Sequence, residues 1–268
     1  MSRARRRARR RHDELRTLVM GLGRQDFRRR HGEPHLGPVV ALVASYLEAD
    51  NIGDVLKAVP ARVGDLAVST LVVVDGGDDG TEDIAEAAGA FVAALPVNMG
   101  QGVALKLGYE LAATHGARYV VTIDADGQND PVELPELLEP VLADEADFVV
   151  ASRRLGRDDT TDQVRRAGVL FFATVINALT GLRLTDTSNG YRAIRVELLR
   201  DVTLDQDQYQ TAELIISAAS RGWRITERPT VWHPRASGES KKGHNVFFAL
   251  NYARVVVLTW LRERRTGH

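Results

Sequence analysis

Apolar and polar positions fall into blocks along this chain, and the blocks have two different periods. VVALVAS (39–45), LVVVD (71–75), FVAAL (91–95), YVVTID (119–124) and DFVVAS (147–152) are almost wholly apolar and rich in β-branched residues. Such runs read as strands buried on both faces. Between them, 51–59, 81–89, 98–116 and 131–143 carry helical periodicity or helix-forming composition. Strands alternating with helices at this spacing predict an α/β fold, with a mostly parallel central sheet covered by helices on both faces.

The pattern changes after residue 152. GRDDTTDQ is a polar loop, 164–181 an apolar helix, and LTDTSNGYRAI a turn with a short strand. A further helix spans 209–222, followed by WRITERPTVWH and the turn-rich loop PRASGESKKGH. Ahead of the first strand, 12–37 reads as a polar helical lead-in. The division expected is a basic arm or helix at 1–37, the main α/β domain at 38–243, and an amphipathic helix at 244–268 packing on or extending that domain.

Charge adds one feature that the periodicity hides. The formal net charge is only −1, yet the chain opens SRARRRARRR and has three more arginines at Arg28, Arg29 and Arg30. Such a run suits an anionic membrane surface or a nucleic acid, and equally a solvated arm. No apolar stretch of the kind that makes a secretory signal follows it. No segment reaches the ~20 apolar residues that span a bilayer. The nearest, 246–261, is interrupted by Asn251 and Arg254 and reads as a core helix or as a helix lying on a membrane. There is no cysteine, so any metal must take oxygen or imidazole ligands.

Candidate chemistry gathers at the strand exits, where sheets of this type bind their ligands. Ser45, Tyr46 and Glu48 follow the first strand, Asp75 the second, Asp124 to Gln128 the fourth, and Ser152 and Arg153 the fifth. In extended backbone Asp124 and Asp126 point the same way, with Gln128 next in phase. That set suits a hard cation clamping a diphosphate, and equally a turn capping the next helix. A phosphatase D-x-D-x-T loop is set aside because Gln128 stands in the threonine position. NMGQG before a helix is either a phosphate cradle or a tight turn for close packing. Asp75 either accepts N–H groups of a nucleobase or belongs to a turn capped by Asp79 or Thr81. Arg235, Gly238, Ser240 and Lys241 lie in a loop able to close over a diphosphate.

Taken together, these segments resemble glycosyltransferase family 2, most closely its polyprenyl-phosphate (dolichyl-phosphate) mannosyltransferase type, over about residues 38–243. SYLEADNI is similar to P-A-Y-N-E-x-x-N-I, VDGGDDGT to V-D-D-G-S-x-D-G-T, and NMGQGVALKLG to N-x-G-x-G-x-A-x-x-x-G. IDADGQNDP resembles the D-A-D-G-Q-x-x-P metal loop, ASRR the G-S-R segment, TDTSNGYRA the D-x-x-S-G-F-R-A turn, and RASGESK the R-x-x-G-x-S-K loop. The chain departs from these patterns at Ala44 and Leu47, which replace Pro and Asn. VDGGDDGT is one residue short, and Val169 stands near an expected serine.

The resemblance implies a GT-A fold and an inverting enzyme. It implies that Tyr46, Glu48 and Asp75, with Ser45 beside them, hold the nucleoside. Asp124, Asp126 and Gln128 would take Mg²⁺ or Mn²⁺, and Arg235 and Lys241 would close on the donor diphosphate. Arg153, with Arg165 or Arg166, would hold an acceptor phosphate. A phosphate acceptor needs no base, whereas a hydroxyl acceptor does. Glu213 is the candidate for that base, or else a structural residue of its helix. The expected function is transfer of a hexose, with GDP-mannose the leading donor, to a polyprenyl phosphate at the inner membrane face of the cytoplasm, with no nucleic-acid partner. The alternatives are a soluble family 2 enzyme using a UDP- or GDP-sugar and a small-molecule hydroxyl, or a basic-armed binding protein without chemistry.

Overall fold

The computed structural model describes residues 3–160, 163–235 and 245–266. The apolar runs become β1 (Val39–Ser45), β3 (Leu66–Val74), β4 (Phe91–Ala94), β5 (Tyr119–Asp124) and β6 (Phe148–Asp158). β1 lies between β3 and β5, parallel to both, with β4 beyond β3. The two-residue β2 (Arg62–Val63) pairs antiparallel with β3. Inner residues such as Val40, Leu42, Val72 and Val121 are fully buried because helices cover both faces.

Sequence order does not continue across the sheet. β7 (Arg192–Arg195) inserts antiparallel between β5 and β6, and β8 (Ile225–Trp232) pairs parallel with the outer side of β6. A short strand returning from the turn 184–191 can fill that gap only by running against its neighbours. The sheet is therefore mixed, as in GT-A-like folds.

α2 (Ala49–Ala58), α3 (Thr81–Ala87) and α5 (Leu134–Leu142) cover one face. α4 (Gln101–Thr114), α6 (Gln163–Thr180), α8 (Gln210–Ser220) and α9 (Asn245–Thr266) cover the other, while α7 (Val196–Asp201) follows β7 directly. α1 (Arg3–His31) joins this second layer by burying Val19, Met20 and Phe27. It also closes the sheet edge. Ala94 N donates to Asp26 Oδ2 and Val92 N to His31 Nε2, each at 2.9 Å. Those amides of β4 would otherwise be an unpaired strand edge. Among the described residues no helix is long and apolar enough to cross a membrane.

Candidate active site

Register brings the strand exits together. Ala44 of β1 is opposite Asp124 of β5, and Ser45 is opposite Val74 of β3, so the segments after these strands leave the same edge of the sheet. Ser45, Glu48 and Asp75 are all buried there. Leu47, in the family's asparagine position, has φ of 53°, in the left-handed region that asparagine tolerates and leucine resists.

Asp126 turns back on its own loop. Its Oδ1 accepts Gln128 N at 3.1 Å, and its Oδ2 accepts Arg235 Nη2 at 2.9 Å. Arg235 Nη1 reaches Glu48 Oε1 at 3.0 Å, and Asn51 Nδ2 supports Glu48 Oε2 at 2.8 Å. One guanidinium thus neutralises two carboxylates from different strand exits. Asp124 Oδ1 accepts Gln101 Nε2 at 3.1 Å. Gly190 lets the neighbouring backbone pass Asp124, because a Cβ there would lie 2.5 Å from Oδ1.

Among the described residues no group of three or more His, Asp or Glu side chains is arranged to hold a metal ion. The donor set nevertheless suits Mg²⁺ or Mn²⁺, which bind through one or two carboxylates and complete their shells with water and substrate phosphates. Asp124 and Asp126 are hard oxygen donors. Gln128 donates its amide nitrogen to the His233 carbonyl at 3.2 Å, leaving its side-chain oxygen as an acceptor. Acids whose counter-charge is an arginine are chemically suited to a cation.

Asp75 serves the NMGQG turn. Its two oxygens accept Met99 N and Gly100 N, both at 2.8 Å. Burial pushes its carboxyl up to about 6, against those two hydrogen bonds, and the Asp207 charge adds to the rise. Gly102 N goes to the Asp207 carbonyl. Three amides of the supposed phosphate cradle are therefore used internally, and the tight-turn reading describes the glycines. The adjacent turn is tied by Asp79, which accepts Thr81 N at 3.2 Å and Ala49 N at 3.0 Å.

A second cluster surrounds Arg153. Its guanidinium forks onto Asp186, with Nε 2.6 Å from Oδ2 and Nη2 2.9 Å from Oδ1, and lies 4.7 Å from the Trp232 ring centre. Burial alone would raise the Asp186 carboxyl, but Arg153 outweighs it and holds it below the usual range. A cavity of about 350 Å³ opens beside this pair, lined by Arg153, Arg154, Arg157, Arg166 and Val169 among others. Arg166 donates to the carbonyls of Asp158 and Thr160 at 2.7 and 2.6 Å. Sequence reasoning brought Arg153 and Arg166 to one site but missed Asp186, Trp232, Arg154 and Arg157. TDTSNGYRA flagged the turn without giving its aspartate a role. The side chain of Arg165 and all of Lys241 lie outside the described residues. A larger cavity of about 1070 Å³ lies between α1 and α4 and contains none of the strand-exit residues.

Glu213 lies elsewhere. It is fully buried, and its oxygens accept Asp205 N and Gln206 N at 2.9 Å and Arg262 Nη1 at 2.7 Å. Burial pushes its carboxyl up, with those groups opposing. These bonds cap the loop before α8, which is the structural use left open by the sequence.

A mixed GT-A-like sheet with acids, an arginine and a glycine turn at its exits defines a glycosyltransferase. The family model described as "Glycosyl transferase family 2" matches residues 40–203. The chain belongs to that family. It is 35% identical over 204 residues to a dolichyl-phosphate hexose transferase of Haloferax volcanii, covering 76% of this chain and 86% of the relative. It is 31% identical over 218 residues to an undecaprenyl-phosphate mannosyltransferase of Micrococcus luteus, again with 76% and 86% covered. Among solved structures, glucosyl-3-phosphoglycerate synthase of Mycobacterium tuberculosis, in complex with Mn²⁺, UDP and phosphoglyceric acid, superposes with a TM-score of 0.66. Identity is 22%, over 85% of this chain and 78% of that one, so this likeness concerns the fold.

Proposed function

We propose that this enzyme transfers a hexose from a nucleoside diphosphate donor, GDP-mannose first among candidates, to a polyprenyl phosphate. The observation that carries the acceptor is the arginine-lined cavity beside the Arg153–Asp186 pair, whose carboxylates are poor bases. Burial would raise Asp158, but Thr160 and Arg166 hold it below the usual range, and Arg153 does the same for Asp186. Glu213 is sealed under its loop. A hydroxyl acceptor would need a base here; a phosphate monoester, already anionic, does not. The names of the Haloferax and Micrococcus relatives support the same acceptor class.

In this reading Ser45, Tyr46, Glu48 and Asp75 shape the nucleoside end of the site, and Arg235 faces the diphosphate; the same role is assigned to Lys241 from the sequence alone. Arg153 and Arg166, with Arg154 and Arg157, draw the acceptor phosphate toward the anomeric carbon. One acceptor oxygen forms the new bond to that carbon as its bond to the donor's β-phosphate oxygen breaks, with inversion. The nucleoside diphosphate leaves with the electron pair. Mg²⁺ or Mn²⁺, when bound by Asp124, Asp126 and Gln128, supplies charge neutralisation on that leaving group.

A lipid acceptor also accords with the surface. Val164, Leu170 and Phe171 of α6 and Leu250, Val257 and Leu258 of α9 are exposed on neighbouring helices. These exposed apolar side chains, with the arginine arm, suit a peripheral position at the inner membrane face. The second reading, a UDP-sugar donor with a small-molecule acceptor, draws on the ligands of the Mycobacterium structure.

Transfer from labelled GDP- and UDP-hexoses to a short polyprenyl phosphate, with Mn²⁺ or Mg²⁺, tests the proposal. EDTA-sensitive label in the lipid phase is the expected result. Donor consumption with label only on a small hydroxyl acceptor would replace it with the second reading.

A further inference from the structure

The 98–102 turn, whose amides hold the Asp75 of the proposed nucleoside site, is itself held from two sides, and only one of them belongs to the segment that the family model matches. On one side is Asp75. On the other is the loop before α8, where the Asp207 carbonyl accepts Gly102 N at 2.8 Å. The contact is close because the turn has no side chains there. A Cβ on Gly100 would stand 2.6 Å from the Asp207 oxygen, and one on Gly102 2.4 Å from the Gln206 oxygen. The backbone of 205–207 therefore packs directly on the turn at 98–102.

That loop is pinned by the N-terminal helix. Arg16 Nη1 donates to the Asp205 carbonyl at 2.7 Å and lies 3.3 Å from Asp207 Oδ1. The His12 ring pairs with Asp207 Oδ2. Arg262 of α9 holds the far side of the loop through Asp205 and Thr203. The Arg16 side chain is only 15% exposed, so solvent screens its charge incompletely.

Resting on the donor reading above, we infer that α1 is a working part of the nucleotide site, with Arg16 a positioning residue that fixes the 98–102 turn through Asp207. Anchoring the helix alone does not require this contact. Val19, Met20 and Phe27 bury it, and Arg24 ties it to Glu110 of α4 at 2.6 Å without touching the loop. Arg24 therefore separates holding the helix from holding the turn.

Titration calorimetry with GDP and with UDP, each with Mn²⁺, on the full-length chain tests the inference. Arg16→Gln and Asp207→Asn should each weaken the nucleotide that the wild type binds by about tenfold. Arg24→Gln should leave its affinity unchanged, and Arg16→Lys, which keeps the charge, should recover part of the loss. Wild-type affinity in folded Arg16→Gln and Asp207→Asn would overturn the inference, as would an equal loss in Arg24→Gln. If Arg16→Gln does not fold, Asp207→Asn decides, because it retains the carbonyl that Gly102 uses. A wild type that binds neither nucleotide would instead overturn the donor reading, and this inference with it.

Discussion

Arg235 Nη2 stands 2.9 Å from Asp126 Oδ2, and through its other nitrogen the same guanidinium reaches Glu48, so a residue beyond the last strand joins the exits of β5 and β1. Removing it leaves the buried Glu48 and the partly buried Asp126 without their shared cation and, on the donor reading, the diphosphate without a donor. Arg235→Ala is expected to lower kcat by about 100-fold or more. Arg235→Lys should recover little, because one ammonium cannot reproduce the fork. Steady-state transfer assays check both.

Asp75 supplies a pH signature. Its folded-state value of about 6 lies above the ordinary 3.8, so between these values the folded protein holds more protons than the unfolded chain. Its contribution to stability therefore falls as pH rises through that window and is level above it. The stability difference between wild type and Asp75→Asn, measured by urea unfolding, should change between pH 4 and 6 and not between 7 and 8. Carboxyl NMR of Asp207→Asn should show the Asp75 value moving down, since a repelling charge is gone.

The Arg153–Asp186 pair is buried and bidentate. Asp186→Asn leaves a buried guanidinium uncompensated, and about 3–5 kcal/mol of stability should be lost. The double variant Arg153→Met, Asp186→Asn should lose less than the two single losses combined. Chemical denaturation measures all three.

Glu213 distinguishes a base from a structural residue. Glu213→Gln can satisfy at most part of the Asp205, Gln206 and Arg262 donors, so a loss of about 1–3 kcal/mol is expected. The pH profile of kcat should keep its shape. Loss of a basic limb from that profile, with stability intact, would return Glu213 to the chemistry.

Leu47 has φ of 53°, where a leucine side chain crowds its own backbone. Leu47→Asn should raise stability by about 1 kcal/mol, read as a higher melting temperature. An unchanged or lower value would mean that its packing against Gly77 outweighs the strain.

The sequence by itself determined the strands and the place of the site. Runs such as VVALVAS and YVVTID cannot be solvated on either face, so they had to become inner parallel strands with their polar residues at the exits. The gathering of Asp124, Asp126, Glu48 and Asp75 at one edge of the sheet was legible for that reason. Tertiary structure decided the rest. Only packing could put β7 between β5 and β6, because a four-residue strand carries no mark of its neighbours. Only packing could give Arg153 to Asp186 across 33 residues, and Asp75 to the glycine turn rather than to open solvent. The N-terminal helix shows the division best. Its arginines were visible as charge, but Asp26 and His31 closing the β4 edge, and Arg16 reaching a loop 189 residues away, depend on distances that the fold alone creates.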